Sequence, residues 1–243
     1  MSNRVTIAGL GLIGGSIGIA LRRKGWHVSY SDPNVDLAAA KGRAAADEKL
    51  DEPKGDLVII ATPVDIAVRL RVQAPLATTT CSVMLPFRQP NFVAGHPFAG
   101  SERNGLDSAR GDLFEGHPWF VHRDEPRVRE IIEAVGAKQT VVDCDDHDRA
   151  MALTSHLPQV ISTALASLIE QKRIDPIFIG SGIRTLLRLA ASRYEVWGSV
   201  LEANARNIGE AERELLRVMN SMTTADFDRA RRFMAKYVAP PEQ

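Results

Sequence analysis

An α/β chain is predicted, with a doubly wound parallel sheet in its N-terminal part and an all-α domain behind it, on three observations. Residues Val5-Thr6-Ile7-Ala8-Gly9-Leu10-Gly11-Leu12-Ile13-Gly14-Gly15-Ser16 pass from a β-branched run through glycines into helical apolar spacing. Strand-like and helix-like segments then alternate as far as Val142, as βα units of a parallel sheet do. From Asp143 onward the helical period persists with hardly any strand signal, which divides the chain into residues 1–142 and 143–243.

The first unit is the most informative. Gly9 permits a sharp turn, Gly11 lets backbone approach a phosphate, and Gly14 allows the helix to pack closely on the strand; the helix N-terminus offers free N–H groups and a positive dipole end. Such a turn is common by itself, so the surrounding unit decides its meaning. Gly25 ends the helix, Trp26 to Ser31 makes a second strand, and Asp32 follows about 20 residues past the glycines, where a dinucleotide fold carries its ribose-binding carboxylate. The unit therefore reads as a Rossmann-type dinucleotide site with Gly9, Gly11, Leu12, Ile13, Gly14 and Asp32 as contacts. Asp32 accepts from a 2′-hydroxyl and repels a 2′-phosphate, and no Arg follows it directly, which favours NAD over NADP. The competing reading is that Asp32 caps the Pro33-Asn34 turn.

The next elements expected are a helix over 36–46 and a strand Leu57 to Ala61 ending in Thr62-Pro63. Further strands read at 79–83, 92–95, 119–121 and 139–142, with a helix over 126–135. Open parallel sheets bind ligands beyond the carboxyl ends of their strands. Thr62-Pro63, Cys81-Ser82 and Gly95-His96-Pro97 should thus crowd around the cofactor. The segment between Pro63 and Cys81 looks short for a helix plus a strand, which suggests a trimmed sheet edge or an altered cofactor contact. In the second half Asp145 or Asp146 caps a long helix that kinks at Pro158 and runs on to Ile169. Gly180-Ser181-Gly182 precedes a leucine-rich helix, and two more follow over 196–222 and 224–237. A cleft between the halves is the expected site for a small-molecule substrate.

Composition narrows the function classes. Lys+Arg and Asp+Glu are both 30, which argues against nucleic acid or a membrane surface as the main partner. Cys81 and Cys144 belong to no CxxC and no metal-ligand cluster, so neither a disulfide framework nor a metal is expected. No signal-peptide pattern opens the chain and no apolar run reads as long enough to span a bilayer, so a soluble, cytoplasmic protein is the expectation.

Several polar residues near the cleft could carry chemistry. His96 lies among small residues at a strand end, held extended by Pro97, and an imidazole titrating near neutrality can accept a hydroxyl proton as hydride leaves the same carbon. It could equally be a histidine satisfied in a turn. Ser82 could orient His96 or bind cofactor, or be an ordinary strand-end serine. His156 and Gln159 fall three apart and share a helix face; core satisfaction and ligand contact are both open. Arg184 and Arg188 stand four apart, as a carboxylate trap or as a solvated basic edge. Trp197 fits a core role or a pocket wall, and Arg229, Arg231 and Arg232 read as a solvated face.

The chain resembles the prephenate/arogenate dehydrogenase family, the TyrA-type enzymes. The resemblance runs in order through Gly9-Leu10-Gly11-Leu12-Ile13-Gly14-Gly15-Ser16, Cys81-Ser82-Val83, His96-Pro97-Phe98-Ala99-Gly100-Ser101-Glu102, Leu113-Phe114-Glu115-Gly116, Ser155-His156-Leu157-Pro158 and Arg188-Leu189-Ala190, with Trp197 after. It implies NAD-dependent oxidative decarboxylation of prephenate or arogenate, with a helical domain that dimerises. It also implies that His96 is the catalytic histidine, Ser82 its helper at the ring 4-hydroxyl and Arg188 the partner of a substrate carboxylate. Ser101, His156, Gln159 and Trp197 correspond to pocket positions. Departures are Thr79 or Thr80 where the family usually carries an acid, Met84 where it carries a lysine, and Gln159 where many relatives carry a second histidine. A neutral Gln159 tolerates either substrate side chain, with prephenate marginally preferred. No regulatory or mutase segment is recognisable, so a monofunctional enzyme is expected. The alternatives are another two-domain dehydrogenase, of pyrroline-carboxylate reductase or 3-hydroxyacid type, and a non-catalytic NAD-binding regulator.

Overall fold

A computed structural model describes residues 3–100 and 103–237, so Ser101 lies outside the described residues. The first half runs β1 (Arg4–Ala8), α1 (Leu12–Arg23), β2 (His27–Ser31), α2 (Leu37–Gly42), β3 (Glu48–Lys49), β4 (Leu57–Ile60), α3 (Val64–Ala67), β5 (Leu76–Thr79) and β6 (Phe92–Val93). These strands pair in parallel in the order β3-β2-β1-β4-β5-β6, the doubly wound order of a nucleotide-binding sheet. Alternate residues feed opposite faces. Ile7 and Ile59 join an apolar cluster with Leu10, Ile17 and Trp119, while Ala8, Val58 and Ile60 join one with Met84, Phe87 and Val200. Because both faces are covered, the strands carry near-continuous apolar runs.

The glycine turn is built as its spacing predicts. Gly9 takes φ +88°, and a Cβ on Gly14 would overlap the Gly9 carbonyl oxygen, so the first turn of α1 rests on the turn that precedes it. Three expectations need correction. The helix expected over 36–46 stops at Gly42, because Ala44 enters the left-handed region at φ 54° and turns the buried Ala45 and Ala46 back towards β3. The strand expected at 79–83 is Leu76–Thr79, held in register by Leu57↔Leu76 through Ile60↔Thr79. The short segment before it shortens the helix rather than the sheet, since α3 is a single turn and all six strands remain.

The strand expected over 92–95 splits in two. β7 (Gly95–Pro97) leaves the main sheet to pair antiparallel with β8 (Pro118–Val121), which pairs in parallel with β9 (Lys138–Val141) after α4 (Pro126–Ala134). The switch occurs at Ala94, whose N–H donates to His122 Nδ1 (3.0 Å) and whose carbonyl accepts from the His122 N–H (3.0 Å). Thr79 bridges the two sheets, accepting from Gly95 N (3.1 Å) and donating to Gly95 O (3.3 Å).

The helical half comprises α5 (Cys144–Met151), α6 (Leu157–Gln171), α7 (Ser181–Leu187), α8 (Tyr194–Ala203), α9 (Ala205–Asn220) and α10 (Thr224–Tyr237). Asp143, rather than Asp145 or Asp146, caps α5, accepting from Asp145 N (2.8 Å) and Asp146 N (3.3 Å), and the other two acids occupy the positive first turn. The discontinuity expected at Pro158 is a π-turn over Ala152–His156, which relieves the clash between the proline ring and the preceding turn. It fuses α5 and α6 into one helix, Cys144–Gln171, long and apolar enough by length and composition to cross a bilayer, contrary to the expectation that no run would be. In this fold its residues Met151, His156, Leu157 and Ser162 are buried inside the protein. The helix expected over 196–222 breaks at Asn204, which has left helical geometry and is buried.

Gly14→Ala should overpack this turn and lower stability by about 1–3 kcal/mol. Urea unfolding measures it, and an unchanged midpoint would contradict the packing described.

Candidate active site

The carboxyl ends of β1, β4 and β5 open onto a cavity of about 410 Å³. Leu12 and Ile13 from the start of α1 line one side, with Thr62, Pro63 and Ser82 beyond the strand ends. His96 and Pro97 of β7 form the floor, and Glu195, Val196, Ser199 and Val200 of α8 form the opposite wall. The cleft between the two halves is therefore real, and the three loops expected to crowd together do so. Gly11 caps α1 without a side-chain cap bond and has open space where a Cβ would stand, so the first-turn amides face the cleft unobstructed. Asp32 braces the glycine turn, accepting from Leu10 N (2.8 Å), and also accepts from Asn34 N (2.8 Å), so it caps its own turn. It lines a neighbouring cavity of about 580 Å³ that Arg71 shares, a residue the sequence reading did not single out.

His96 belongs to a chain of buried polar groups. Its Nδ1 lies 3.0 Å from His147 Nε2, and His147 Nδ1 lies 2.8 Å from Asp148 Oδ1. Asp148 in turn accepts from Met84 N (2.8 Å, Oδ1) and Leu85 N (2.9 Å, Oδ2) in the loop after β5. The side chains of His147 and Asp148 are each 1% exposed. Phe98 and Phe120 pack on the His96 ring, and Phe120 also packs on His147 (centroids 5.4 Å apart), so both imidazoles are clamped in orientation. Burial, then the neighbouring imidazoles of His147 and His156, push His96 down to about 3. It is thus neutral at pH 7 and able to accept a proton. Cys81, beside Ser82, is buried and its thiol is pushed up to about 12 by that burial, so it is no thiolate nucleophile.

The remaining expected residues are placed less centrally. Ser82 lines the cavity but makes no hydrogen bond to His96; the group that holds His96 is His147. His156 is wholly buried outside the cavity lining, its Nδ1 taking Asn204 Nδ2–H (3.0 Å) and its ring packed edge-on against Trp197. Burial pushes it down to about 4. Gln159 is also buried, donating to Leu189 O (2.9 Å) and Thr163 Oγ1 (3.0 Å), so its amide anchors the 3-10 turn Arg188–Ala191 to α6. Arg188 is exposed on that turn, and Arg184, also exposed, donates to Ile179 O (3.1 Å). Sequence reasoning missed His147, Asp148 and Asn204. The only signal for the first two was an adjacent His-Asp pair one turn after a helix cap.

The doubly wound sheet, glycine turn and interdomain cleft define a Rossmann-type nucleotide-binding protein with a helical second half. Residues 78–143 match the family model of the prephenate dehydrogenase nucleotide-binding domain and residues 143–236 that of the prephenate dehydrogenase dimerization domain. The chain belongs to the prephenate/arogenate dehydrogenase family. It is 26% identical over 229 residues to a prephenate dehydrogenase of Lactococcus lactis, an alignment covering 83% of this chain and 65% of that one. It is 29% identical over 236 residues to a cyclohexadienyl dehydrogenase of Zymomonas mobilis, covering 83% and 80%. The chain thus spans just under two thirds of the length of the first of these relatives. The fold superposes on an A. aeolicus prephenate dehydrogenase solved with hydroxyphenyl propionate and NAD+, at a TM-score of 0.82 and 23% identity, covering 98% and 95% of the two chains.

The depressed histidines set a pH dependence. The fold holds His96 and His156 neutral, while unfolded histidines protonate below about 6.5, so their contribution is fully present above that value and is lost as pH falls. Stability by urea unfolding should decline between pH 7.5 and 5, with a slope approaching about 1.4 kcal/mol per pH unit for each histidine. A flat profile over that window would contradict the burial described.

Proposed function

We propose that this chain catalyses NAD-dependent oxidative decarboxylation of prephenate, to 4-hydroxyphenylpyruvate, or of arogenate, to tyrosine. The observation that carries the reading is His96, a neutral imidazole fixed at the floor of a cleft whose other side is a glycine turn and helix N-terminus. The turn fits a dinucleotide: first-turn amides of α1 are open to the pyrophosphate, and Asp32 retains acceptor capacity for a ribose hydroxyl. Thr62 and Pro63, which line the same cavity, are assigned to the nicotinamide half. Asp32 supports NAD over NADP.

The bound nicotinamide supplies a hydride acceptor for ring C4 of the substrate. As hydride leaves C4, the geminal hydroxyl becomes strongly acidic, so a base held neutral by burial suffices, and His96 takes that proton. The C1–carboxylate bond then breaks, its electron pair passing through the ring to the C4 oxygen, which recovers the proton from His96. Carbon dioxide leaves and the ring becomes aromatic. Ser82, which lines the same cavity, is assigned as a donor to that hydroxyl. Arg188, on a turn pinned by Gln159 and by Ser162 Oγ at Ala190 N (2.9 Å), is assigned to a substrate carboxylate, and Ser101, His156, Gln159 and Trp197 are assigned to substrate binding. In the single chain His156 and Gln159 sit behind the lining, so their part is to hold its wall.

We further assign residues 1–142 to the dinucleotide and residues 143–243 to the substrate and to a homodimer. Asp143 starts the helical half, the two family models meet at that residue, and the half leaves Ile177, Phe178, Phe227 and Phe233 exposed, apolar surface suited to a second copy. The whole is assigned to the cytoplasm as a soluble protein.

Steady-state assays of prephenate and arogenate with NAD and NADP test the reading, and His96→Asn should lower kcat by roughly 10²–10⁴ with folding intact. Formation of neither aromatic product by the wild type, or full turnover in the variant, would overturn it.

A further inference from the structure

We propose that His147 and Asp148 form a positioning pair that fixes His96 as its Nδ1–H tautomer and leaves the Nε2 lone pair facing the cleft. The inference rests on the reading of His96 as the base and adds how that base is set. Backbone amides can only donate, so the bonds from Met84 N and Leu85 N require both Asp148 oxygens to be acceptors. His147 Nδ1, 2.8 Å from Oδ1, must therefore carry a proton. In the proposed arrangement His147 has a bare Nε2, and the His96 Nδ1 that faces it at 3.0 Å is the donor. With Nδ1 committed, Nε2 is the nitrogen of His96 left for a substrate hydroxyl.

Two further features hold the chain of bonds in this sense. Asn204 donates to the Asp148 carbonyl (2.8 Å) and to His156 Nδ1 (3.0 Å), which fixes the turn of α5 that carries the pair. The rings of Phe98 and Phe120 clamp the imidazoles, so neither can turn over to exchange its nitrogens without repacking. When His96 holds the substrate proton, its positive charge faces His147, whose far side is bonded to a carboxylate. An acid thus steadies the imidazolium through an intervening ring, and the proton returns to the substrate oxygen by the route it came. The arrangement extends the logic by which an acid orients a catalytic histidine directly.

The test is the tautomer itself. In protein labelled with 15N-histidine, long-range 1H–15N spectra at pH 7.5 should show His96, assigned by its loss in His96→Asn, protonated at Nδ1 and bare at Nε2, with His147 of the same type. His147→Phe keeps the ring packing and removes the bond, so His96 should become a mixture of tautomers. Its kcat should then fall at least about tenfold, part of the roughly 10²–10⁴ that a positioned base contributes, with the KM for NAD within about twofold of wild type. His147→Gln, whose amide oxygen can accept from Nδ1–H, should recover part of that loss. An Nε2–H tautomer of His96 in the wild type overturns the proposal whatever the turnover, and the wild-type spectrum needs no variant to fold. An unchanged spectrum and kcat in His147→Phe also overturn it. Absent turnover beside an intact Nδ1–H spectrum would instead overturn the catalytic reading beneath it.

Discussion

One carboxylate ties the two halves of this protein together. Asp148 sits on the first helix of the helical half, yet its oxygens accept the amides of Met84 and Leu85 from the loop that follows β5. Leaving the buried Met84 donor without a partner costs about 1–3 kcal/mol, and the part-buried Leu85 bond adds to it, so the loop and the helix are committed to one relative position. That position sets the carboxyl edge of the sheet against α8 and so defines the cleft. It also places His147 beside His96, 51 residues earlier in the chain.

The same anchor explains the irregularities around it. Asn204 breaks what would be a single long helix because its side chain is needed at the Asp148 carbonyl and at His156. The π-turn before Pro158 widens the helix at the level where His156 turns inward. Met84, which departs from the family's usual lysine, is wholly buried and contributes its backbone N–H rather than its side chain to the anchor. Sheet, loop and helix are thus held by polar contacts at one point, with the apolar cluster of Val58, Met84, Phe87 and Val200 packed around it.

Much of this was legible in the sequence, for reasons that are local. The glycine turn could be read because each glycine answers a steric demand within a few residues, as the overlap of Gly14 with the Gly9 carbonyl demonstrates. His96 could be read because small residues and Pro97 expose it at a strand end. The long-range choices could not. Whether 92–95 is one strand depends on His122, 28 residues away, capturing Ala94. His147 looks like any helical histidine until the loop carrying Met84 is folded against it. His156 and Gln159 share a helix face as their spacing predicts, but that face turns to Asn204 and to the Arg188–Ala191 turn, not to the cavity.

Native-state hydrogen exchange at the Met84 and Leu85 amides tests the anchor most directly. The account predicts that in the wild type both exchange only through cooperative unfolding, and that in Asp148→Ala they exchange far faster than the neighbouring β5 amides. Equal protection of Met84 and Leu85 in the two proteins would contradict it.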